Sequence, residues 1–170
     1  IAEAYTRVDG LQFDSVDANQ GVPGILVDTG GVTGDIRISN GIVRGADSYG
    51  IRQDSATAYY WNLVVYGCGG GGILVQYATN APVASVYSCS VVNNGAYGIA
   101  EAGGGTVTVK NCYSGGNTTD AFSGTMTRTT CMHSSATSFS GSTASIAYST
   151  AHFTNVTAGS EDLHLTSGSA

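Results

Sequence analysis

A small residue followed by an apolar one recurs along the chain at Gly24-Ile25, Gly50-Ile51, Gly72-Ile73, Gly98-Ile99 and Asp120-Ala121, at intervals of 26, 22, 26 and 22 residues. A second marker keeps the same register. Asn40, Asn62, Ser88, Asn111 and Thr130 are polar turn residues, followed directly by Gly41, Leu63, Cys89, Cys112 and Cys131. Asparagine tolerates the left-handed backbone that a sharp corner between two strands demands, and stacked amides hydrogen-bond along an axis. Two markers in one register indicate an internal repeat of stacked β-coils.

Each coil divides into three short strands. In the coil that starts at Gly50 they are Ile51 to Asp54, Ala58 to Trp61 and Leu63 to Tyr66, with Gly67 to Gly71 leading onward. Alternation of side chains across a strand then predicts three buried stacks. Ile25, Ile51, Ile73 and Ile99 form the first; Ile38, Tyr60, Val86 and Val109 the second; Leu63, Cys89, Cys112 and Cys131 the third, continued by Val65, Val91 and Ser114. A β-sandwich would need hairpin turns every 8 to 12 residues or so, and these do not recur. Glycine falls throughout and no helical period survives, which excludes a helical repeat.

With 170 residues the chain is read as one domain, 1–170, large enough for a core. Regular coils are expected over 22–133, a first coil or cap over 1–21, and looser coils over 134–170, some six to seven coils of roughly 22 residues in all. The segment Asp162-Leu163-His164-Leu165 looks like another first strand. The 25 glycines are balanced by a 42% hydrophobic fraction, so a folded, turn-rich β protein is expected instead of a disordered one. Charge is sparse, with a net of -6 and Lys110 as the only lysine. Nothing there would neutralise a phosphate backbone, so nucleic acid is not an expected partner.

No apolar run approaches the length of a membrane span, and no signal peptide is visible. Ile1 opens the sequence without a methionine, which suggests processing or excision from a longer chain; the C-terminal end shows no evident cap, which suggests a covering partner or a truncation. The four cysteines lack the close pairing of a zinc site. Cys89, Cys112 and Cys131 stack one coil apart, within Cα reach of a disulfide but with side chains pointing the same way, so buried thiols are favoured over bridges.

The coils GIRQDSATAYYWNLVVYGCGG and GIAEAGGGTVTVKNCYSGGN resemble right-handed parallel β-helix repeats of the pectate-lyase-like superfamily, and the closing NVTAGSEDLHLTSGS resembles the end of many such regions. The resemblance covers roughly Gly21 to Ser169. It implies an all-β, single-stranded right-handed parallel β-helix. It implies less about function, because this superfamily includes polysaccharide lyases and hydrolases, phage tailspikes, virion proteins and adhesins.

Lyases of this fold are expected to use calcium-binding carboxylates with a basic residue, and its hydrolases paired aspartates. No Asp-Asp pair, Gly-His-Gly or Arg-Ile-Lys is present. One polar column remains: Asp28, Asp54 and Gln76 stand at equivalent strand ends, with Arg52 two residues before Asp54. Stacked oxygens there could share a cation such as calcium or a sugar hydroxyl. Alternatively, an aspartate before a turn bonds its own backbone. His133, His152 and His164 fall at unrelated register positions without a carboxylate partner. Asn117-Thr118-Thr119 and Asn155-Val156-Thr157 match the glycosylation pattern.

Apolar residues are expected on outer faces at Leu26, Leu74 and Phe122 in the first strands and at Ile42, Val64, Tyr66 and Tyr113 in the third. Aligned on successive coils they form ribbons suited to packing against copies of the chain or a larger assembly. Missing catalytic motifs and few charges favour a non-enzymatic module of a virion or extracellular assembly, such as a phage capsid-decorating or fibre-like protein, that self-associates. The alternative is a carbohydrate-active or glycan-binding fragment using the outer face of the first strands, with tyrosines as sugar platforms.

Overall fold

A computed structural model describes residues 1–15, 21–30, 34–76 and 81–134, with the backbone of three later strands at 142–145, 153–155 and 162–165. The first layer consists of β1 (Tyr5–Asp9) and β2 (Gln12–Asp14). Next, β3 (Ile25–Val27) leads into β4 (Asp35–Arg44), and β5 (Ile51–Gln53) into β6 (Thr57–Tyr66). Three coils of three strands follow: β7 (Ile73–Gln76), β8 (Val83–Tyr87) and β9 (Ser90–Val92); β10 (Tyr97–Ala102), β11 (Thr106–Lys110) and β12 (Tyr113–Gly115); β13 (Asp120–Ser123), β14 (Thr127–Thr129) and β15 (Cys131–Ser134). The later strands are β16 (Ser142–Ser145), β17 (Phe153–Asn155) and β18 (Asp162–Leu165).

All strand pairs through β16 are parallel, so the molecule is an all-β parallel solenoid. One wall is the sheet β3-β5-β7-β10-β13. The other two walls are continuous around the corner, because β4 and β6 each pass through it unbroken and belong to both. Later coils split there into two strands. Every predicted corner residue adopts the left-handed conformation: Asn40, Asn62, Ser88, Asn111 and Thr130 have φ between 51° and 55°. The amide of Asn62 donates to Asn40 Oδ1 at 2.7 Å, and that of Asn40 to Asp9 Oδ1 at 2.7 Å, so the corner carries a polar ladder along the axis.

The recurrent glycine has a separate cause. A Cβ added to Gly24, Gly50 or Gly72 would lie 2.9, 2.9 or 2.7 Å from the carbonyl oxygen of the glycine one coil later, too close for any side chain. The marker therefore records backbone contact between coils, not turn flexibility.

The three predicted stacks are in register and buried. Ile25, Ile51, Ile73 and Ile99 pair in sequence; Ile38, Tyr60, Val86 and Val109 do the same. Leu63, Cys89, Cys112 and Cys131 are each 1% exposed or less, as one expects of an inward column at the start of the third wall. Polar groups also lie within this core, among them Gln53, Ser114 and His133. Gln53 is fully buried, accepts from the Tyr60 hydroxyl and donates to the carbonyls of Ser55, Ala56 and Val83.

Four expectations need correction. Among the described residues the solenoid has about four turns, fewer than the six to seven expected over the chain. The fifth marker is displaced by one residue: Ile99 pairs with Phe122, so Ala121-Phe122, not Asp120-Ala121, continues the column. Phe122 is accordingly an inward residue with no exposure, not a surface one. Finally, β18 does not begin another coil but pairs antiparallel with β17. Strand β16 does extend the third wall in parallel beside β15, with a register shift after Cys131. At the other end, β1 and β2 pair in parallel with β4 as a first coil layer.

Candidate functional site

The polar column sits where the first wall ends. Register places Asp28, Asp54 and Gln76 at equivalent positions, followed by Ala102. Their surroundings differ. Asp54 is buried at 5% exposure, and the guanidinium of Arg52 grips it with two parallel hydrogen bonds, Nε to Oδ1 at 2.7 Å and Nη2 to Oδ2 at 2.6 Å. Arg52 and Asp54 project on the same side because they lie two residues apart on an extended segment. The fork geometry holds the pair, and this bond to Asp54 is the main reason that the Arg52 pKa is raised.

Asp28 is exposed but also engaged. Its Oδ1 accepts from the backbone N–H of Gly30 at 2.9 Å, the turn-closing bond expected of an aspartate at a strand end, and from Ser55 Oγ at 3.2 Å. Ser55 Oγ in turn accepts from the N–H of Thr29 at 2.7 Å. Thus structural bonds join Asp28 to the next coil and Asp54 to Arg52 on its own coil. Among the described residues, no three histidine, cysteine, aspartate or glutamate side chains converge as metal ligands.

The apolar candidates divide. Leu26 is 38% exposed, whereas Leu74, although at the equivalent outward position, is only 6% exposed. Ile42, Val64, Tyr66 and Tyr113 are half-buried on the outer face of the third wall. There Ile42 and Val64 are adjacent, Ser90 follows, and Tyr113 pairs with both Ser90 and Met132. Met132, 40% exposed, extends the ribbon beyond the predicted residues. Beside it, Arg44 bonds the Asp14 carboxylate and reaches the Tyr66 hydroxyl at 3.4 Å, and the Asp14 contact is the main cause of a raised Arg44 pKa.

The outer face of the second wall holds a cluster that sequence reasoning missed. Tyr59 and Trp61 project outward on β6 because Tyr60 between them points inward, and Tyr87 pairs with Trp61 on the next coil. Arg37 lies over the Tyr59 ring at 5.6 Å, and Asp35 fixes it through two hydrogen bonds of 2.9 Å. Lys110 follows Tyr87 in the same row. The signal was present in the run Thr57 to Trp61, where three aromatic residues in a row must divide between core and surface.

The remaining chemistry is internal. His133 pairs with Ser114 and so continues the Val65-Val91-Ser114 column, which corrects its reading as a residue without register. It is buried, and burial foremost, then Arg128, holds its pKa below the usual histidine value. His152 lies outside the described residues, as does the side chain of His164. The amide of Asn117 is fully used inside a ladder: Oδ1 accepts from the backbone and side-chain nitrogens of Asn94 at 3.0 Å each, and Nδ2 donates to Ser114 Oγ and to the Val91 carbonyl. All four cysteines are buried thiols without a disulfide, and burial pushes Cys68 up to about 11. No family model matches the chain, and no curated protein or solved structure matches it.

Proposed function

We propose that this solenoid is a non-catalytic module of a virion or extracellular assembly, of the pectate-lyase-like kind that its repeats resemble, and that it docks through the outer face of its third wall. The supporting observation is how its surface groups are used. Among the described residues, the candidate acid or base column has Asp54 held by Arg52 and Asp28 held by Gly30 and Ser55. In contrast, Ile42, Val64, Tyr113 and Met132 stand in one outward row along the axis, interrupted only by Ser90, and Met132 is 40% exposed. A second copy or a larger assembly of similar surface is the natural occupant, and the reading requires no cofactor.

Sedimentation of the parent and of Val64→Lys tests this. The parent should associate at micromolar concentration, and Val64→Lys should be monomeric with nearly unchanged melting. A parent that stays monomeric and does not bind virion or cell-surface components overturns the reading.

Glycan binding is the second reading, favoured by the half-buried Tyr59, Trp61 and Tyr87 beside Arg37. Flat aromatic faces suit sugar rings, and a fixed guanidinium supplies hydrogen bonds. It predicts saccharide binding that is lost in Trp61→Ala. Incubation with polyuronate and calcium addresses catalysis directly: unsaturated product formed by the parent but not by Asp54→Ala would establish a lyase instead.

A further inference from the structure

Cys89, Cys112 and Cys131 occupy one inward column on three successive coils. Each thiol donates to a carbonyl of the coil before it: Cys89 to Tyr60 at 3.8 Å, Cys112 to Val86 at 3.4 Å and Cys131 to Val109 at 3.5 Å. Each also reaches the carbonyl two residues before it on its own coil, so the repeated partners mean a repeated orientation, with each sulfur leaning toward the preceding coil. Cys112 Sγ also accepts from the Cys89 N–H at 3.4 Å, so this sulfur lies between the two coils.

This arrangement is poor for a disulfide and good for something else. A disulfide needs sulfurs about 2 Å apart and a dihedral near 90°, whereas parallel stacking supplies a dihedral near zero. Three ligands in a row also cannot surround a tetrahedral ion such as zinc. A linear, two-coordinate ion has neither requirement. Two metal–thiolate bonds of about 2.3 Å laid end to end span roughly 4.6 Å, close to the ~4.8 Å rise between parallel strands. No torsional preference operates across such a span.

We infer that the cysteine column is a binding site for a soft, two-coordinate metal ion bridging Cys112 to an adjacent cysteine. The chemistry favours a divalent ion of the mercury(II) type over copper(I) or silver(I). Binding converts two thiols and one ion to a bis-thiolate and releases two protons into solution, with no change in oxidation state. A divalent ion leaves the buried complex neutral; a monovalent ion would leave a negative charge in an apolar core, which is costly. Since only the folded chain offers paired sulfurs at this spacing, the ion should also raise the melting temperature.

The test uses mercuric chloride with excess free cysteine as competitor, in the Cys68→Ala background so that only the column remains. Native mass spectrometry should find a single ion per chain, with a bis-thiolate charge-transfer band in the ultraviolet. Two further variants keep two thiols each. Cys131→Ala retains the adjacent pair Cys89 and Cys112 and should bind like the background. Cys112→Ala leaves Cys89 and Cys131 two coils apart and should lose about 10²-fold or more, because the second ligand is no longer held in place. If Cys112→Ala fails to fold, Cys112→Val replaces it, since Leu63 shows that the column accepts an aliphatic side chain. Equal binding by the two variants, or none by the background, overturns the site.

Discussion

The hydroxyl of Tyr60 donates to Gln53 Oε1 at 3.1 Å, joining the first wall of the solenoid to the second through the middle of its core. Both residues are fully buried, and burial pushes the phenol well above its ordinary pKa, so the hydroxyl remains a donor at any workable pH. The amide nitrogen of Gln53 serves the carbonyls of Ser55, Ala56 and Val83, which turn the chain from β5 into β6 and meet the next coil. Tyr60→Phe should therefore cost about 1–3 kcal/mol, the usual effect of stranding a buried acceptor. Gln53→Leu should cost more, since it strands the hydroxyl and several carbonyls together. Urea unfolding with an unchanged slope measures both; a Tyr60→Phe variant as stable as the parent would refute the link.

Arg52 and Asp54 predict an asymmetry. The carboxylate is buried, but the guanidinium is about one-third exposed at 36%. Removing Asp54 leaves a charge that water can reach; removing Arg52 leaves one that water cannot. Exposed pairs contribute about 0.2–1 kcal/mol, and orphaning a fully buried charge costs about 3–5 kcal/mol. Arg52→Ala should fall between, near 2 kcal/mol, and Asp54→Ala should cost less. Thermal melting at neutral pH compares them, and the reverse order would mean that Asp54 does not depend on Arg52.

The corner ladder separates backbone conformation from hydrogen bonding. Asn62 has φ 55° and donates to Asn40. Asn62→Gly keeps the left-handed backbone and loses only an exposed amide bond, so its cost should be small. Asn62→Ala must place a Cβ in that conformation, for about 1–2 kcal/mol. If alanine proved as stable as glycine, the recurrence of asparagine at these corners would reflect the ladder instead of the backbone.

The corners and the isoleucine column were legible because one physical requirement recurs in every coil: a left-handed residue at Asn40, Asn62, Ser88, Asn111 and Thr130, and a side-chain-free contact at Gly24, Gly50, Gly72 and Gly98. Reading failed where the requirement lapsed. Phe122 is preceded by Ala121 where earlier coils have glycine, and Asp120 looked like the small residue instead, which turned Phe122 outward. Short-range pattern alone could not tell β18 in an antiparallel pair from the first strand of a coil. The Asp28 and Asp54 column was visible as alignment, and the Asp28 bond to its own turn at Gly30 was among its readings, but the Ser55 bond was not, because it comes from a turn of the next coil whose geometry the periodic pattern does not encode. His133 was missed although it stands two residues after Cys131, at the inward spacing already used for Val65, Val91 and Ser114.

His133 also predicts how stability depends on pH. It is buried on β15, its ring edge-on to Phe122 with centroids 6.5 Å apart, and Arg128 lies over the same phenylalanine at 5.8 Å. Burial first, then the Arg128 charge, lowers its folded pKa. The unfolded chain thus binds a proton more readily than the folded one. The neutral ring's contribution is complete above the unfolded value of about 6.5 and is lost as pH falls toward the depressed folded value. In that window the slope should approach at most about 1.4 kcal/mol per pH unit. Asp9 and Asp35, whose pKa values are also lowered, by hydrogen bonds with Ser39 and Arg37 first, act in the same direction only below the ordinary 3.8, so the two windows are distinct. His133→Val matches the valines above it in the column and should remove the upper slope while leaving the acid limb. His152 and His164 are common to both proteins, so urea unfolding of each between pH 5 and 7.5 or so isolates this one ring. Parallel curves for parent and variant would mean that protonated His133 is accommodated inside the solenoid.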